Sequence, residues 1–113
     1  MTTEYTSGTA TMTTTEYSLA ASSTSLPTKT DAGVYQLFLD TKNLAAADSY
    51  LLTYYETAKS GGTKGIMFQQ TISGVQTAPV NVGPAFALMN GWDITVKKLL
   101  GANQSMDWSI RKA

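Results

Sequence analysis

The sequence predicts an all-β chain: a jelly-roll-like antiparallel β-sandwich or small barrel of about seven or eight strands, with an extended N-terminal arm. Apolar residues recur with period two in short runs. Gly, Pro and Asn turn signals separate those runs at intervals of about 8–12 residues. No stretch carries a long helical period, and no internal repeat stands at a fixed spacing. At 113 residues the chain fits one domain able to bury about two-thirds of the surface its unfolded form exposes. Residues 1–8 are therefore assigned to an arm and residues 9–113 to a single sandwich domain.

Each element has its own signal. The first thirty residues are rich in Thr, Ser and Ala, a composition that suits either a polar arm or edge strands. Thr9–Met12 and Glu16–Leu19 are expected to form short strands, with Met1–Thr6 frayed. The apolar run Val34–Leu39, bounded by Asp31-Ala32-Gly33 and by Asp40–Asn43, reads as a buried strand, and Leu44–Ala47 favours one helical turn. Tyr50, Leu52 and Tyr54 share one face of the next run, and Ile66, Phe68, Gln70 and Ile72 alternate beyond the Ser60-Gly61-Gly62-Thr63 loop, which predicts an antiparallel hairpin. Gly74–Gly83 reads as a long connection, and Pro84 opens a strand through Met89. Asn90-Gly91 between apolar runs predicts a type I′ hairpin. Trp92, Ile94 and Val96, then Met106, Trp108 and Ile110, alternate with polar residues, so the last third is expected to form a three-stranded meander with one dry and one wet face.

Composition narrows the function classes. Only 14% of residues are charged, against about 25% in an average soluble domain, and Thr with Ser makes up about a quarter of the chain. Basic and acidic residues balance at 8 each, so no net field draws in nucleic acid or an anionic membrane. No cysteine is present, which excludes disulfides and thiolate metal sites. The first nineteen residues lack a basic start followed by an apolar stretch, so synthesis and folding in a cytoplasm are expected.

Chemistry is hard to place on this sequence. Histidine is absent, which removes the commonest general base and metal ligand and with it Ser-His-Asp and Cys-His catalysis. Gly61-Gly62-Thr63-Lys64-Gly65 lacks the spacing and hydroxyl residue of a phosphate loop and reads as a turn. Asp93 and Asp107 are expected on a solvated face, offsetting Lys97 and Arg111. The five aspartates show no calcium-loop order, and Asn103-Gln104-Ser105 reads as a turn. Tyr50, Tyr54, Tyr55 and Phe68 are expected to pack the core. The chain is read as a non-enzyme without cofactor or metal.

Several of these segments together resemble a group of short virion proteins of tailed bacteriophages. The likeness is carried by Thr15-Glu16-Tyr17-Ser18-Leu19, Asp31-Ala32-Gly33-Val34-Tyr35-Gln36, Leu44-Ala45-Ala46-Ala47-Asp48, the Ser60–Thr63 loop, Asn90-Gly91-Trp92-Asp93 and Asp107-Trp108-Ser109-Ile110-Arg111. The resemblance implies a capsid cement or decoration protein that bridges subunits of the major capsid protein at the capsid surface. Its alternatives are a head-to-tail connector, tail or fibre component of the same particle, or a glycan-binding sandwich. Expected partners are the major capsid protein and copies of the chain itself, as dimer or trimer, with neither nucleic acid nor membrane. Polarity and turn content nominate the arm and the long connection for contacts: Thr2, Thr3, Tyr5, Thr9 and Thr11, then Val75, Gln76, Pro79, Val80 and Val82.

Overall fold

Period-two patterning becomes nine strands in the computed structural model, which describes residues 2–113. They are β1 (Thr3–Met12), β2 (Tyr17–Ser18), β3 (Gly33–Asp40), β4 (Ser49–Thr57), β5 (Lys64–Ser73), β6 (Val80–Val82), β7 (Phe86–Leu88), β8 (Asp93–Leu100) and β9 (Gln104–Lys112). One sheet runs β1-β9-β3-β6, with β7 beside the other half of β3; the second runs β2-β8-β4-β5. All pairs are antiparallel.

The pairing has a simple logic. β4 pairs with β5, β3 with β6 and β7, β2 with β8, and β1 with β9, so the chain is one long nested hairpin centred on the Ala58–Thr63 turn. Rolling that hairpin brings β9 against β3 and β8 against β4. With β6 and β7 counted as one interrupted strand, this is the eight-strand order of a jelly roll. The predicted all-β sandwich is thus the observed fold, with nine strands where about seven or eight were expected.

Alternation fills the space between the sheets. Leu37, Leu39, Met106, Trp108 and Ile110 face inward from one sheet, and Tyr50, Leu52, Tyr54, Ile94 and Val96 from the other, all buried. A fully buried aliphatic side chain of this size contributes roughly 1.5–3 kcal/mol. Trp92 closes one end, its ring 4.5 Å from Tyr35 and 5.6 Å from Tyr5. The turns Leu44–Asp48 and Gly101–Asn103, both joining one sheet to the other, are tied together by Asp48: its carboxylate accepts from the amides of Ala45 and Ala102 and from Gln104 Nε2, each at 2.8 Å.

Four expectations are corrected. Residues 3–6, expected to fray within the arm, pair with β9 from Thr3↔Lys112 onward, interrupted by a bulge between Glu4 and Thr6; Met1 lies outside the described residues. Leu44–Ala47 makes tight turns in place of a helical turn: the Leu44 amide donates to the Thr41 carbonyl and the Asp48 amide to the Ala45 carbonyl, while the Asp48 carboxylate accepts from the Ala45 amide. Asn90-Gly91 does not close a hairpin: β7 pairs with β3 in one sheet, while β8 pairs with β2 and β4 in the other. Gly91 takes φ 134°, far from a type I′ turn, as the chain crosses between sheets to bury Trp92. The predicted C-terminal meander is divided accordingly, with β8 and β9 in different sheets.

Candidate interaction surface

On β3 and β9 the residues between the core positions point outward, and register stacks them into rows. Asp40 stands opposite Asp107, Phe38 opposite Ser109, and Gln36 opposite Arg111. β1 and β6 extend the rows: Thr9 pairs with Asp107 and Ser7 with Ser109, while Val80 pairs with Asp40 and Val82 with Phe38. Between the rows lies an open depression of about 190 Å³, lined by Phe38, Asp40, Val80, Asp107, Ser109 and Arg111.

Two carboxylates directly across a strand pair repel one another. Here the Thr9 hydroxyl donates to Asp107 at 2.6 Å, the Lys42 amide donates to Asp40 at 3.0 Å, and the Lys42 ammonium lies 3.7 Å from Asp40 and 3.9 Å from Asp107. The lysine is exposed, so its bridges contribute little. Arg111 lies with its guanidinium carbon 3.8 Å from the centre of the Phe38 ring and donates from Nε to Ser109 at 3.3 Å. Glu4 stands opposite it on β1, yet among the described residues Arg111 makes no salt bridge, and its fork can take a carboxylate from outside. Val34, Val80 and Val82 on the same sheet are 44%, 53% and 51% exposed.

The residues nominated from sequence separate into groups. Thr9, Thr11, Val80 and Val82 are exposed on this sheet but at its opposite edges, with β9 and β3 between them. Thr2 borders a smaller hollow with Val34 and Arg111, and Thr3 begins β1. Tyr5 turns inward, its ring against Tyr35 and Trp92 and its hydroxyl donating to Asp31 at 2.5 Å. Val75 is exposed, Gln76 folds back onto the carbonyls of Ser73 and Gly74, and the Pro79 carbonyl accepts from the Thr41 amide and hydroxyl. Sequence reasoning missed Phe38, Asp40 and the exposed Val34. Asp107, Ser109 and Arg111 had a signal, their alternation with Met106, Trp108 and Ile110.

A second polar cluster lies on the outer side of the other sheet. The Ser18 hydroxyl donates to Asp93 Oδ1 at 2.6 Å, and Glu16 accepts from the hydroxyls of Tyr55 and Thr95. The connection from β2 to β3 is tied over this side by Lys64, whose ammonium donates to the Pro27 carbonyl at 2.8 Å, and by the Lys29–Trp92 bridge. Asp93, expected on a solvated face, is therefore buried, and it approaches neither Asp107 nor Arg111, which belong to the other sheet.

Asp93 Oδ2 has no hydrogen-bond partner. Burial pushes this carboxyl above its usual range; the bonds from Ser18 and the Ile94 amide and the nearby Lys64 charge pull it back, and Glu16 adds to the rise. A raised carboxyl means the folded chain binds the proton more tightly than the unfolded one. Its contribution to stability is present below the ordinary value of 3.8 and is lost as pH rises through the raised value. Asp93→Asn keeps an oxygen acceptor for both donors and carries no charge. It is expected to be about 1 kcal/mol more stable than the unaltered chain at pH 7, with that gain gone near pH ~3, in urea titrations at the two pH values.

No helix of the described residues is long and apolar enough to cross a membrane. No protein-family model, curated protein or solved structure matches the chain.

Proposed function

We propose that this chain is a structural protein of a tailed-bacteriophage particle, made in the host cytoplasm and placed on the capsid surface as a cement or decoration protein that bridges subunits of the major capsid protein. The resemblance of its turn and strand segments to small virion proteins introduces the reading. One structural observation supports it most: each sheet ends in an uncovered ten-residue strand, β1 on one and β5 on the other.

Proteins that live alone blunt such edges with charge, proline or shortness. β1 carries Glu4 as its one charged residue and β5 carries Lys64, and neither contains proline. Each edge has a bulge, yet Thr6–Met12 and Phe68–Ser73 keep unbroken register with their inner neighbours. A partner's extended segment can add to edges of this kind by main-chain hydrogen bonds, and two such edges on one small body suit a bridging role. Many weak contacts of this sort become strong in a repeating shell. Jelly rolls also occur among viral capsid domains, a likeness of fold in keeping with this reading.

The test is the copy number of the chain in purified particles, by quantitative mass spectrometry against the major shell protein. A ratio near one is the expected result. A handful of copies would move the protein to the connector, tail or fibre, and absence from the particle would end the virion reading.

A further inference from the structure

We propose that the outer face of the β1-β9-β3-β6 sheet is a self-association surface, on which two copies pack face to face about a two-fold axis along the Ser109–Phe38–Val82 row. The inference stands apart from the virion reading, since it follows from the register of one sheet.

Three rows define the face. The middle row is Ser7, Ser109, Phe38 and Val82; on one side lies Thr9, Asp107, Asp40 and Val80, and on the other Glu4, Arg111 and Gln36, so that the two-fold sets Glu4 over Thr9 of the second copy. A two-fold axis in the plane of the contact, running along the middle row, exchanges the two flanking rows while keeping each strand over its own copy. Arg111 then meets Asp107 of the second copy, and Gln36, an amide donor, meets Asp40. Both contacts occur twice, as a closed isologous pair requires. Phe38, with Arg111 stacked on its ring, comes over its own counterpart near the centre, and Val82 meets its counterpart at the β6 edge, where apolar side chains lose water.

The face is thus complementary in charge to itself, and this gives a role to two features of the monomer, the acidic pair that only an exposed lysine offsets and the stacked arginine. The Asp40–Asp107 opposition, uncomfortable within one chain, becomes a receptor for cationic and amide donors. Arg111, held over Phe38 and making no salt bridge with Glu4 opposite, gains a carboxylate partner in Asp107 of the second copy. Packed sheets stand about 10 Å apart, a gap that facing Arg and Asp side chains span together.

Area sets the strength. β1, β9 and β3, about 4.8 Å apart and at least about 27 Å long, with the three-residue β6 at the edge, present roughly 440 Å² per copy, so the pair covers about 900 Å², just under the size of a stable specific interface. The dimer is accordingly weak, and charge decides whether it forms.

The test uses the full chain in sedimentation velocity from about 1 μM to about 1 mM, with amide shifts followed by NMR on dilution. The unaltered chain is expected to pass from monomer to dimer, with shifts at Phe38, Asp107, Ser109 and Arg111. Asp107→Arg and Arg111→Asp each set like charges together across the axis, and each raises the dissociation constant at least about tenfold. An equimolar mixture of the two variants restores a mixed dimer, because Arg at 107 then faces Asp at 111 in one contact and Arg111 faces Asp107 in the other. That recovery also shows that both variants are folded. A chain that stays monomeric throughout, shifts confined to β1 or β5, or a mixture that fails to associate would each overturn the proposal.

Discussion

Trp92→Ala is expected to lower the stability of the fold by about 3–5 kcal/mol, measured as a fall in the urea midpoint with an unchanged slope. Trp92 is fully buried where β8 begins, and its indole is held in three ways. Tyr35 and Tyr5 pack against the ring, and Nε1 donates to the Asp31 carbonyl at 3.0 Å. Its backbone pairs with Lys29 in both directions, at 2.7 and 2.8 Å. Truncation opens a cavity between the sheets and removes one of the two donors to the Asp31 carbonyl, the Tyr35 hydroxyl being the other. Small domains are stable by only about 5–15 kcal/mol, so this one change removes a large share of the total. Trp92→Phe keeps a ring in the cavity and is expected to lose much less.

The second large effect belongs to Gly101. Its φ is +87°, a region that costs an L-residue about 1–2 kcal/mol, and a β-carbon there would collide with Asp48 and lie 2.9 Å from the Ala47 carbonyl oxygen. Gly101→Ala is expected to cost about 2–4 kcal/mol by strain and overpacking together. A displaced Asp48 supplies a readout that simple strain does not. In the unaltered chain the amides of Ala45 and Ala102, with Gln104, hold its carboxyl below the ordinary 3.8. Its contribution to stability is therefore present above that value and is lost as pH falls through the lowered one. In Gly101→Ala the Asp48 carboxyl is expected to titrate nearer 3.8 by NMR, and the acid transition to begin at higher pH.

Local patterns were legible and distant ones were not. The β4–β5 hairpin follows from two alternating runs around Gly61-Gly62, because partner and turn lie within one stretch of chain. Alternation likewise placed Met106, Trp108 and Ile110 inside and Asp107, Ser109 and Arg111 outside. The Asn90-Gly91 dipeptide carries the same local signal as a hairpin, and only the distant partners of β7 and β8 show that the chain changes sheets there. Asp93 illustrates the same limit: its strand has the composition of a half-wet one, yet the β2–β3 connection covers the outer side. The candidate face depends wholly on β9 lying between β1 and β3. No window of sequence containing Asp107 reports that Asp40 stands opposite it.

The nested pairing also has a consequence for how the chain comes into being. β1 leaves the ribosome before its partner β9, with the seven other described strands made between them. The first sheet therefore cannot close until β9 has been made and slots between β1 and β3. Non-local pairings of this kind fold on the millisecond-to-second scale. Through that interval β1 waits as a threonine-rich ribbon of low charge, open on both sides to a neighbouring nascent copy.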